Sequence, residues 1–106
     1  MWSVEFLNEE VKALLAAFPV DIRASFERIV KLIQSHGLER VHEPYVKHLE
    51  GPLWEMRMSG RSGIARAVYV TAIGKRISVV HVFGKKTQNT PRREIETALR
   101  KAKEVR

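Results

Sequence analysis

The sequence predicts an α+β fold in which a small, mainly antiparallel β-sheet carries an N-terminal helical hairpin and a C-terminal helix. Three observations predict it. Apolar residues recur at helical spacing twice in the first third of the chain and once near its end. Three stretches between them alternate in period two, as half-buried strands do. The separators of those stretches are short enough for antiparallel hairpins, so the pattern is a meander and not a set of βαβ units. The resulting element order is β-α-α-β-β-β-α.

The first element, residues 2–7 (WSVEFL), alternates Trp2, Val4 and Phe6 against Ser3, Glu5 and Leu7 and reads as a short strand. Asn8 suits an N-cap, with Glu9 and Glu10 in the first turn, where the helix dipole favours acids. Val11, Leu14, Leu15 and Phe18 make the inner stripe of that helix, which Pro19 ends. A second helix begins near Asp21, buries Ile22, Phe26, Ile29, Val30 and Ile33, and stops at His36-Gly37. Residues 38–52, with Pro44, Gly51 and Pro52, read as a connecting loop. Strands are expected at 53–59, 64–71 and 76–83, separated by GRSG and by a turn at Gly74-Lys75. Thr90 and Pro91 look like N-cap and N1 of a last helix. Its stripe is Ile95, Ala98, Leu99 and Ala102, and Glu96 and Arg100 form an i,i+4 pair.

With 106 residues, the chain should form one domain that buries its own core. It has no cysteine, which excludes disulfides and thiolate metal sites. The N-terminus lacks a signal-peptide pattern and no segment is long enough to span a bilayer, so a cytoplasmic location and no membrane partner are expected. The net charge of +7 is unevenly spread. Residues 1–50 carry eight acids and six bases (−2), residues 51–84 one acid and five bases (+4), and residues 85–106 three acids and eight bases (+5). A basic second half suits a polyanionic partner, nucleic acid or an acidic protein segment, or it is only a solvated face.

Arginines inside strands depart most from bland patterning. Arg57 shares a face with Leu53 and Glu55, and Arg66 sits among apolar residues in IARAVYV. On the sheet face that the hairpin leaves uncovered, Arg57, Arg66 and the Lys85-Lys86 pair would converge and match a phosphodiester. Each arginine alone is equally well read as a salt bridge to Glu55 or to an acid of the first half. His81, between Val79 and Phe83, reads first as a packed core histidine and second as a general acid or base. No histidine pair has metal-ligand spacing, so no metal is expected. Phosphate-loop, dinucleotide and nucleophile-elbow motifs are absent, Ser78, Thr87 and Thr90 lack an evident base, and Tyr69 falls on the packing side by parity.

LWEMRMSGRSGIARAVYV followed by ISVVHVFGKKTQNTPRREIETALRKAKE resembles the phage-derived HigB-like branch of the RelE/ParE toxin superfamily. The resemblance spans the whole chain and implies a single RelE-like toxin domain over residues 1–106. It also implies the toxin of a type II toxin-antitoxin system: a ribosome-dependent mRNA endoribonuclease that needs neither metal nor cofactor. In such folds the 2′-hydroxyl of RNA attacks the adjacent phosphorus and the 5′-oxygen leaves. Carried over by position, Arg57, Arg66, Lys85 and Lys86 would be the catalytic cations, and Lys47, His48, His81, Arg92 and Arg93 the candidate RNA contacts. A cognate antitoxin, commonly a helix-turn-helix protein, would be the partner besides ribosome and mRNA. The sequence departs from several members in having no histidine or tyrosine after Phe83, which leaves the general acid or base among Lys47, His48, His81 and a lysine of the pair. Two other readings remain: a ParE-like gyrase poison without nuclease activity, and a non-toxic nucleic-acid-binding module.

Overall fold

A computed structural model describes residues 1–86 and 89–106. In it the chain runs β1 (Ser3–Phe6), α1 (Glu9–Ala16), α2 (Val20–His36), a 3-10 turn (Leu38–Arg40), β2 (Val46–Glu50), β3 (Leu53–Gly60), β4 (Gly63–Ala72), β5 (Arg76–Lys85) and α3 (Arg92–Ala102). The five strands form one sheet in the order β1-β5-β4-β3-β2. β1 runs parallel to β5 and the other neighbours are antiparallel. The mixed α/β class is as expected, but the topology is not the expected one, because residues 46–50 form a fifth strand where a loop was expected.

β2 escapes the sequence pattern for a physical reason. It is a five-residue edge strand, VKHLE, with one neighbour and charged or titratable side chains at three positions, and a register shift lies between His48 and Glu50. Edge strands carry such residues because one of their rims meets water. The other strands match within two residues at each end.

Helix ends follow local chemistry. Asn8 caps α1, its Oδ1 accepting the Val11 N–H at 2.9 Å. Gly37 ends α2 with φ +85°, a conformation glycine adopts without penalty, and its N–H bonds to Ile33 O at 2.8 Å. At α3 the expectation fails: Pro91 holds the cap position and no side chain caps the helix, so Thr90 is not its N-cap. The i,i+4 ion pair of α3 among the described residues is Arg92 with Glu96 at 3.5 Å rather than Glu96 with Arg100.

The sheet is covered on both faces. On one, Val11, Ile22, Phe26, Ile29 and Ile33 of the hairpin pack on Met56, Met58, Ala65, Ala67, Ile77 and Val79. Each buried aliphatic contributes roughly 1.5–3 kcal/mol. On the other, Ile95 and Ala98 of α3 pack on Leu53, Val68, Val70, Val80 and Phe83. A register shift between Val68 and Tyr69 breaks the β4–β5 ladder, with Val68 opposite His81 but Tyr69 opposite Val79. The extra residue reverses the parity of β5. Val79 therefore faces the hairpin while His81 and Phe83 face α3, so His81 does not share a face with Val79 as plain alternation suggested.

Candidate active site

Period-two alternation sends Glu55 and Arg57 of β3, Arg66 of β4 and Lys85 of β5 to the same face as α3, and Lys47 of β2 stands in register with Glu55. Arg57 is opposite Arg66, and Lys85 is opposite Ile64, one pair further along the ladder than Ala65 and two beyond Arg66. Four strands thus deliver four cations to one end of the sheet, beside the N-terminus of α3.

The two arginines share one partner, Glu55, itself 3% exposed. Its Oε2 lies 3.6 Å from Arg66 Nε and 3.9 Å from Arg57 Nε, close enough for charge pairing but too long for hydrogen bonds. Arg57 also approaches Glu43 Oε2 at 3.7 Å. Both Nε–H groups are buried and lack a hydrogen-bond partner among the described residues, while Arg66 Nη1 donates to Ala65 O at 3.0 Å. The salt-bridge reading and the convergent-cation reading therefore both hold: Glu55 pairs with the arginines, and positive charge remains in excess around it.

Lys85 and Lys86 part company. Lys85 is the last residue of β5 and buried, whereas Lys86 is exposed beyond it. Lys85 Nζ donates to Thr90 Oγ1 at 3.3 Å, and the Thr90 hydroxyl donates to Glu55 Oε1 at 3.2 Å. Burial lowers the Lys85 pKa below the usual lysine value; Arg66, Arg57 and Lys47 push the same way, and Glu55 opposes them. Arg66 is also lowered, first by burial and then by Arg57, against the attraction of Glu55. Arg57 and exposed Lys47 form the accessible rim over this floor. Lys85 and Lys86 together line a cleft of about 480 Å³ that continues past Gly63 and Ile64 to Phe18 and Ile22.

The remaining candidates sit elsewhere. His48 points the other way from Lys47, its Nε2–H donating to Gly51 O at 2.9 Å and its ring lying edge-on to Trp54 at 5.0 Å. His81 lies under α3, with Nε2 2.9 Å from Glu94 Oε1 and Nδ1 3.4 Å from Lys101 Nζ. Accepting from a lysine ammonium at Nδ1 puts the ring proton on Nε2, where it donates to Glu94. Its ring stacks on Phe83 at 5.6 Å. Arg92 is exposed and engaged by Glu50 at 2.7 Å, and Arg93 is exposed on the same helix. Thr87 lies outside the described residues. Among those described, no three His, Asp or Glu side chains gather as a metal cluster, and no helix is long and apolar enough to cross a membrane.

Sequence reasoning missed two members. Glu55 was legible by parity as a partner for the arginines but not as the hub of the cluster. Thr90 gave no such signal, because a threonine before proline is fully explained as a helix cap.

No curated protein matches the chain at a significant level. The family described as "Phage derived protein Gp49-like (DUF891)" matches residues 13–103, a span from α1 to the end of α3 that includes every residue of the cluster. The chain belongs to this phage-derived Gp49-like family, a RelE/toxin-like family.

Proposed function

We propose that this protein is the toxin of a type II toxin-antitoxin system, of the HigB-like branch, and that it cleaves mRNA on the ribosome. The observation that carries the reading is the convergence of Arg57, Arg66 and Lys85 from three adjacent strands onto one buried carboxylate, with Lys47 at the rim. Such a cluster suits a phosphodiester, whose charge grows as it reacts.

In the proposed step the 2′-oxygen forms a bond to phosphorus as the P–O5′ bond breaks, leaving a 2′,3′-cyclic phosphate and a 5′-hydroxyl. One proton leaves the 2′-hydroxyl and one reaches the departing 5′-oxygen. Arg57 and Arg66 offset the extra negative charge of the five-coordinate phosphorus. Lys85, with its lowered pKa, is the group best placed to move a proton. His81 and His48 are set apart from the cluster by their positions, and neither takes part. Lys86 and Lys47 contact flanking phosphates from the exposed rim.

A cognate antitoxin neutralises the protein by covering this basic face, so their binding weakens with salt. A reporter mRNA in a translating extract tests the reading. Cleavage that requires translation supports it; an intact transcript, together with DNA damage in cells expressing the protein, would favour a gyrase poison instead.

A further inference from the structure

The Thr90 hydroxyl is a neutral group within the charged cluster, and it joins two of the charged residues. It accepts from Lys85 Nζ at 3.3 Å and donates to Glu55 Oε1 at 3.2 Å. A hydroxyl has one proton and two lone pairs, so these two bonds use its proton and one lone pair in opposite directions. Thr90 is half-buried, directly before Pro91 at the start of α3, and it caps nothing. Helix capping therefore does not account for it.

We propose that Thr90 is a positioning residue for Lys85: anchored by Glu55, its hydroxyl fixes where the Lys85 amine points. A lysine side chain has four rotatable bonds and a compact charge, so orientation is its weak point as a proton carrier. The backbone of β5 sets where the Lys85 stem starts, and the bond to Thr90 helps to direct where it ends. Glu55 supports this from the other side, because a hydroxyl that donates to a carboxylate is a stronger acceptor. The charged groups facing Lys85 are Glu55 and Arg57 from β3, Arg66 from β4 and Lys47 from β2, while Glu94 in the first turn of α3 is engaged by His81. Arg66, Arg57 and Lys47 repel the amine and Glu55 attracts it, while Thr90 gives it a neutral, directional acceptor.

This inference rests on the ribonuclease reading, yet part of its test does not depend on activity. In the full chain with 13C-labelled lysine, the Lys85 titration is followed by NMR in wild type, Thr90→Val and Thr90→Ser. Loss of the acceptor destabilises the ammonium form, so the Lys85 pKa falls by roughly one unit in Thr90→Val and returns in Thr90→Ser. On reporter mRNA, kcat falls roughly tenfold in Thr90→Val with KM little changed, the Lys85 limb of the pH–rate profile moves to lower pH, and Thr90→Ser restores both. An unchanged Lys85 titration in folded Thr90→Val, or a Thr90→Ser variant as impaired as Thr90→Val, would overturn the assignment. A shifted Lys85 titration in a protein whose wild type cleaves no RNA would uphold the Thr90 contact and sink the ribonuclease reading.

Discussion

Arg57 and Arg66 stand directly opposite each other across the β3–β4 ladder, two like charges on one face, with Glu55 within 4 Å of both guanidinium Nε atoms. Like charges at opposed positions destabilise a sheet. The pair persists because a buried carboxylate lies beside it, and the two Nε–H donors stay without hydrogen-bond partners among the described residues. A protein selected for stability alone would have no reason to keep this arrangement, whereas a site for a phosphate would.

Replacing Glu55 with alanine leaves buried Arg66 without its counter-charge. Breaking a buried pair from one side costs about 3–5 kcal/mol, so Glu55→Ala should lower unfolding stability by about 3 kcal/mol in urea titrations. The double variant Glu55→Ala, Arg66→Met removes both charges and should recover most of that loss. A double variant no more stable than Glu55→Ala would contradict the pairing.

Tyr69 makes the opposite case. Its ring is fully buried on the hairpin face, its hydroxyl has no hydrogen-bond partner among the described residues, and burial pushes the phenol pKa above its usual value. A buried hydroxyl without a partner costs stability. Tyr69→Phe should therefore keep or raise the melting temperature, and a loss beyond about 1 kcal/mol would mean that the hydroxyl is bonded.

Asp21 ties the start of α2 to the β3–β4 turn. Its carboxylate accepts the Ser62 N–H at 2.8 Å and the Ser62 hydroxyl at 2.9 Å. The backbone bond from Ser62 is the main cause that holds its pKa below the usual aspartate value of 3.8. A depressed folded-state pKa adds stability above the unfolded-state value, and that stability is lost as pH falls through the folded value. The stability gap between wild type and Asp21→Asn should be full at about pH 6 and shrink below about pH 4 in denaturant titrations. A gap independent of pH would show that the carboxylate charge contributes nothing.

Much of this architecture is legible in the sequence, for reasons that particular residues make plain. Val11, Phe26 and Ile33 announce their helices by spacing, and the parity of Glu55 and Arg57 puts two of the cluster's side chains on one face, whereas that Arg66 joins them follows from the β3–β4 register. β2 is not legible, because an edge strand with Lys47, His48 and Glu50 has the composition of a loop. Nor is the bulge in β5, since Ser78-Val79-Val80-His81 looks like unbroken strand and only pairing with β4 shows the slip. Lys85 and Lys86 look alike as a pair, and only the end of β5 separates a buried amine from an exposed one. Thr90 is hidden because the simpler role of helix cap accounts for it in sequence.

The most direct test of the central claim is the cleavage of a reporter mRNA in a translating extract by wild type and by Lys85→Met, which keeps the buried stem and removes the amine. Fragments from the wild type should end in a 2′,3′-cyclic phosphate and begin with a 5′-hydroxyl. The rate should be at least about a hundredfold lower for a Lys85→Met protein that melts as the wild type does, as expected when a positioned acid or base is lost. Equal cleavage by the two proteins, or fragments beginning with a 5′-phosphate, would contradict that claim.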